Sequence, residues 1–123
     1  MSKHKRPFDQ NLVDAINKLC WPLVNNNGIK VFLRNSARYE SGAEHIAGKL
    51  HELKVRDIKA IPEGIRSYVR FIKDKDCQET YCYFINRKGE DDGFIKVAVK
   101  LYEHDKKKAY VKSIFIVYRI KKR

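Results

Sequence analysis

The residues best suited to acid–base chemistry lie in the first turns of one amphipathic segment. Ser41 and Glu44 form a capping box, which predicts a helix start, and the apolar residues that follow recur at helical spacing. His45 and Lys49 fall off this apolar stripe, so we expect both on the polar side of the helix. An imidazole titrates near neutral pH, and a helix start favours phosphate. The segment therefore predicts proton transfer beside a bound phosphate, although a solvated surface histidine is the simpler alternative. The apolar stripe consists of Ala43, Ile46, Ala47, Leu50 and Leu53.

Further candidates lie close to this helix in the sequence. His51 projects at a different angle and is a second candidate for proton transfer. Arg34 ends an expected strand, and Arg38 lies in the polar loop over residues 35–40 that brings both arginines close to the start of the helix. Guanidinium groups bind phosphate oxygens well. We expect these two arginines to bind substrate.

Positive charge and a hydroxyl also lie on the predicted C-terminal strands. Lys96 and Lys100 share one side of a strand whose other side is apolar, so both are candidates for substrate binding. On the last strand, Ser113 stands among large apolar residues, where a hydroxyl needs a partner. That partner is either a neighbouring carbonyl or a substrate. Arg119 is a further substrate-binding candidate. Strict alternation places Val111, Ser113, Phe115, Val117 and Arg119 on one side and Tyr110, Lys112, Ile114, Ile116 and Tyr118 on the other.

The charge balance narrows the class of partner. Lysine and arginine total 27 against 15 acidic residues, which gives a net charge of +12 and favours nucleic acid. We expect no membrane contact and a cytoplasmic location, because no apolar run is long enough to span a bilayer and no signal-peptide core is present. Three cysteines without a CxxC pair fit reduced thiols, and no ligand spacing fits zinc. We therefore expect neither a metal nor another cofactor.

The hydrophobic pattern predicts an α+β fold, with N-terminal helices packed on a curved, mainly antiparallel sheet of four to five strands. The first helix should start at Asp9 and end near Trp21, and a short helix after Leu53 should stop at Pro62. At 123 residues we expect a single domain, with a mobile basic lead over residues 1–7 and a basic tail over residues 121–123. The expected strands cover residues 29–34, 67–73, 80–86, 94–102 and 109–119.

Three segments, in this order, resemble a known group of nucleases. They are EHIAGKLHEL, VRDIKAIPEGI and GFIKVAVKLYEHDKKKAYVKSIFIVYRI. Together they resemble the phage and toxin nuclease domains of the barnase, EndoU, colicin-type tRNase and RelE-like group, over residues 29 to 120. The resemblance implies RNA cleavage without a metal, often of tRNA. It also implies an acidic immunity protein or antitoxin as a partner of toxin members.

The resemblance also implies roles for individual residues. His45 matches the helix histidine of the group, Ser113 matches the hydroxyl of the final strand, and Lys96 or Lys100 matches a basic position on the preceding strand. Many relatives carry a tyrosine soon after the hydroxyl. In this chain Tyr118 comes later than that position, and it remains a further candidate.

Taken together, these residues predict a metal-independent RNA endonuclease that leaves a 2′,3′-cyclic phosphate. Such a reaction needs a base for the ribose 2′-OH, an acid for the leaving 5′-oxygen and cations for the phosphorane. His45 suits proton transfer, Lys49 suits charge stabilisation and Ser113 suits a hydrogen bond to a phosphate oxygen. The alternative is a non-catalytic nucleic-acid-binding protein, such as a regulator or a ribosome-associated factor. Charge alone does not separate the two.

Overall fold

The computed structural model describes residues 9–33, 53–76, 79–87, 89 and 92–120. The expected helix that starts at Ser41 lies outside the described residues as far as residue 52, as do the lead over residues 1–7 and the tail over residues 121–123. Leu53, the last residue of the apolar stripe of that helix, is described and is buried in the core. The candidates outside the described residues are His45, Lys49, His51, Arg34 and Arg38. The described residues form α1 (Gln10–Lys18), β1 (Leu23–Val24), β2 (Lys30–Phe32), α2 (Val55–Arg66), β3 (Arg70–Lys73), β4 (Thr80–Asn86), β5 (Phe94–Leu101) and β6 (Lys108–Val117).

Helix α1 begins where the sequence indicates. Asp9 is its N-cap, and one of its carboxylate oxygens accepts a hydrogen bond from a backbone N–H of the first turn at 2.8 Å. The helix ends at Lys18, short of the expected end near Trp21, because Leu19 already has an extended backbone. Trp21 packs against the core, and its indole N–H donates to the carbonyl of Ile16 at 2.8 Å.

Helix α2 runs through the proline that was expected to end it. Asp57 closes its first turn by accepting a hydrogen bond from the backbone N–H of Lys54 at 2.9 Å. Pro62 lies inside the helix, so the expected stop at this residue is wrong. A proline removes one backbone hydrogen bond, but the apolar residues before and after Pro62 pack against the core and keep the helix continuous. The fully buried residues of that side include Ile58, Ile61 and Ile65.

The six described strands form one curled, mixed sheet, a half-barrel, in the order β1-β2-β6-β5-β4-β3. Strand β2 lies parallel to β6, and the other neighbouring strands are antiparallel. The α+β class and the mainly antiparallel pairing are as expected, whereas the expected four to five strands become six, with one parallel pair among them. Alternation in a sequence identifies a strand but not its partner, and most of the chain separates β2 from β6.

The two sides of β5 have the expected character. Ile95, Val97 and Val99 are buried in a core that also contains residues of both helices. Lys96 and Lys100 are half-buried and lie on the opposite side of the strand. Alternation therefore assigned the core side and the charged side of this strand correctly.

A β-bulge in β6 changes the expected sides of that strand. Ser113 and Val111 pair with adjacent residues of β5, so that Lys112 is the additional residue of the bulge. As a result Val111 and Ile114 are both buried in the core, although strict alternation placed them on opposite sides. Ser113 and Phe115 lie on the side turned away from α1 and α2. The expected alternation is therefore wrong before the bulge and correct after it.

Candidate nucleic-acid-binding cleft

The side of the sheet turned away from α1 and α2 carries a small apolar cluster. Cys82, Phe84 and Ala98 are buried in this cluster. Ile120, which follows the last strand, packs against it. The chain after β6 therefore turns back towards β4 and β5.

A cleft of about 330 Å³ lies between this returning segment and the turn after β3. The floor is largely apolar, and the charged side chains stand around it. Such a combination suits an anion that also has a flat or apolar part, as a nucleotide does. The apolar lining consists of Ile72, Cys82, Phe84 and Val117, the cations are Lys73, Lys75, Lys96 and Arg119, and the carboxylates are Asp74 and Asp76.

Lys96 is held between two aromatic rings. The strand register places Phe84 and Phe115 directly opposite it on the two neighbouring strands. The Lys96 Nζ lies 5.8 Å from the centroid of the Phe84 ring and 5.1 Å from that of Phe115. Both distances fit a cation–π interaction. Among the described residues, no carboxylate lies within ion-pair distance of Lys96.

Ser113 lies beside the cleft rather than in its lining. It is half-buried and pairs with Ala98, while Lys96 pairs with Phe115. Ser113 and Lys96 are therefore diagonal neighbours on one side of the sheet, a relation that places Cβ atoms about 7 Å apart. One phosphate group could accept hydrogen bonds from both side chains, because the lysine side chain is long enough to reach it.

The remaining described candidates occupy different places. Arg119 lines the cleft with Lys96, so the structure brings these two together. Lys100 is on the same side of β5 but about 13 Å along the strand, opposite Thr80 and Tyr110, and it does not line the cleft. Tyr118 is 62% exposed and is also absent from the lining.

The cleft contains charged residues that sequence reasoning did not single out. Lys73, Asp74, Lys75 and Asp76 form the end of β3 and the turn after it. Alternating charges at a strand end are typical of an exposed turn, and nothing in the local sequence shows that this turn lies near Arg119. The sequence shows a local concentration of charged residues here, but it does not show the tertiary contact that brings this turn to the cleft.

Three further observations concern features outside the cleft. His104 belongs to the described part of the chain and is exposed in the turn between β5 and β6. Within the described residues, no three histidine, cysteine or acidic side chains come together as metal ligands would. No helix in these ranges is long and apolar enough to cross a membrane.

Comparisons of this chain with protein-family models, with curated proteins and with solved structures find no match. The resemblance of residues 29–120 to the barnase, EndoU, colicin-type tRNase and RelE-like group therefore stays a prediction.

Proposed function

We propose that this protein is a metal-independent endoribonuclease that binds RNA at the cationic cleft. The observation that carries the proposal is the placement of Lys96, Arg119 and Ser113 on one side of the sheet. Cations grouped around a cleft attract a phosphate backbone and also fix its position. The net charge of +12 adds long-range attraction for the same polyanion.

In the proposed reaction, the ribose 2′-oxygen attacks the neighbouring phosphorus and the bond to the 5′-oxygen breaks. The products are a 2′,3′-cyclic phosphate and a 5′-hydroxyl. His45 is proposed for proton transfer, with His51 as the candidate for the second proton step. Lys96 and Arg119, together with Lys49, would stabilise negative charge on the phosphorane. Ser113 would donate a hydrogen bond to a non-bridging oxygen.

A non-catalytic nucleic-acid-binding protein is the second candidate function. The charged side chains of the described cleft walls are lysine, arginine and aspartate, with no imidazole among the lining residues. This observation favours binding without cleavage. Under either function, an acidic partner such as an immunity protein or antitoxin is proposed to cover the same cations.

Incubation of the purified protein with total tRNA in EDTA separates the two functions. The informative variant is His45→Ala, and the matched control is His104→Ala, because His104 is exposed and does not line the cleft. We expect cleavage with cyclic phosphate ends from the wild type and from the control. Loss of a proton-transfer group should reduce the rate about 100-fold or more in His45→Ala.

Three other results would point elsewhere. Tight binding of tRNA that stays intact supports the non-catalytic function. Cleavage that disappears in EDTA indicates a metal-dependent enzyme. Undiminished cleavage by His45→Ala removes this residue from the mechanism.

A further inference from the structure

The row of side chains formed by Phe84, Lys96 and Phe115 crosses three neighbouring strands. Phe84 is buried, and Lys96 and Phe115 are half-buried. The Nζ atom is within 6 Å of both ring centroids, at 5.8 and 5.1 Å. The lysine therefore has a defined position although no described carboxylate fixes it.

Aromatic rings hold a lysine in a way that suits anion binding. A carboxylate partner would also order the side chain, but it would neutralise much of the charge that an anion needs. Ring faces attract the ammonium through their quadrupole and leave its net charge intact. An ordered lysine also loses less conformational freedom when the anion arrives. Lys73 and Lys75, by contrast, are exposed at the end of β3.

We propose that Phe84 and Phe115 are positioning residues that hold Lys96 as a pre-ordered binding site for an RNA phosphodiester. This inference rests on the proposed function, because it names the group that orders the substrate at the same cleft. Lys73 and Lys75 then contribute general attraction, whereas Lys96 contributes a fixed contact. Phe115 is the residue to substitute, because it is less buried than Phe84 and its substitution should perturb the fold less.

The test compares Phe115→Leu with Phe115→Tyr. Leucine keeps an apolar side chain but removes the ring, and tyrosine keeps the ring. We expect Phe115→Leu to bind single-stranded RNA about three- to fivefold more weakly than the wild type, which corresponds to one exposed cation–π contact. Phe115→Tyr should restore the affinity. Phe71→Leu is the control, because it removes a half-buried ring from the helix side of the same sheet.

The dependence of binding on salt separates positioning from charge. Lys96→Met removes one phosphate contact and should lower the slope of log affinity against log salt by about 0.7. Phe115→Leu leaves the charge unchanged, so its slope should equal that of the wild type. In the Lys96→Met background, Phe115→Leu should have no further effect, because Phe115 acts through Lys96.

Nuclear magnetic resonance tests the arrangement without RNA. Protons on the lysine ε-carbon near two ring faces should show an upfield ring-current shift in the wild type and in Phe115→Tyr, and a smaller one in Phe115→Leu.

If wild-type protein shows this shift but binds no RNA, the proposed function fails and the inferred role of the rings in phosphate binding fails with it. If the protein binds RNA and Phe115→Leu binds as tightly as the wild type, only the inference is overturned. The inference would also be overturned if Phe115→Leu lowered the affinity for RNA equally in the wild type and in the Lys96→Met background.

Discussion

Replacement of Asp57 by alanine should be among the most damaging single changes in this protein. The Asp57 carboxylate is fully buried, and the Arg87 guanidinium contacts both of its oxygens, at 3.0 Å from Nε and 2.8 Å from Nη2. The same carboxylate accepts the backbone N–H of Lys54 at 2.9 Å. Asp57→Ala therefore removes three hydrogen bonds and takes this carboxylate away from a guanidinium that is only 5% exposed.

The expected loss of stability in Asp57→Ala follows from the burial of this ion pair. Removal of one partner of a buried ion pair costs about 3 to 5 kcal/mol, because the remaining charge loses this attraction while it stays largely desolvated. For a chain of this length, 1 kcal/mol corresponds to about 4 °C in Tm. We therefore expect Asp57→Ala to lower Tm by about 12 to 20 °C.

Urea unfolding followed by the fluorescence of Trp21 measures the effect. Trp21 is the single tryptophan of the chain and packs against the core. Asp14→Ala is the matched control, because Asp14 is exposed on α1, where its carboxylate accepts a hydrogen bond from the exposed amide of Gln10. The free energy of unfolding of this control should stay within about 0.5 kcal/mol of the wild-type value. Circular dichroism provides a second probe of the same transition.

A double variant tests whether the cost comes from the pair. Asp57→Leu combined with Arg87→Met replaces both charges by apolar groups, and it should be more stable than the sum of the single losses predicts. A cost below about 1 kcal/mol for Asp57→Ala would contradict a stabilising role of the buried pair. Simple addition of the two single losses in the double variant would contradict it as well.

Two further changes test the core. Burial raises the pKa of Tyr83 from 10.0 to about 12. The folded state therefore holds the phenol proton more tightly than the unfolded state, and the stability that this provides is complete below pH 10 and is lost as the pH rises to 12. Alkaline unfolding of the wild type should show a fall of about 2 to 3 kcal/mol over this window that is absent in Tyr83→Phe. Gly64→Ala should lower the free energy of urea unfolding by about 1 to 3 kcal/mol, because a methyl group on α2 would overlap the buried side chain of Ile85; equal stability of this variant would contradict the packing.

Local sequence signals predicted the elements whose structure depends on nearby residues. Asp9 caps α1 because its carboxylate reaches a backbone N–H within the next turn. The sides of β5 follow from alternation, since Val97 and Lys96 must point in opposite directions. In both cases the deciding interaction lies within a few residues of the signal.

The features that sequence reasoning missed depend on tertiary contacts. Pro62 signals a helix end by itself, but the burial of Ile61 and Ile65 against the sheet keeps α2 continuous. The bulge at Lys112 becomes visible only when β6 is paired with β5. The cleft was also missed, because the turn after β3 meets Arg119 only once the chain beyond β6 has turned back.

The register of β4 and β5 links the stability of the core to the geometry of the cleft. A slip of one residue would move Lys96 to the core side and Val97 to the cleft side, and burial of an unpaired ammonium costs several kcal/mol. Arg87 follows β4 and donates to the carbonyl of Asp92, just before β5, at 2.9 Å. The ion pair of Arg87 with Asp57 therefore ties the connection between these strands to α2. The buried pair thus helps to place Lys96 opposite Phe84 and Phe115.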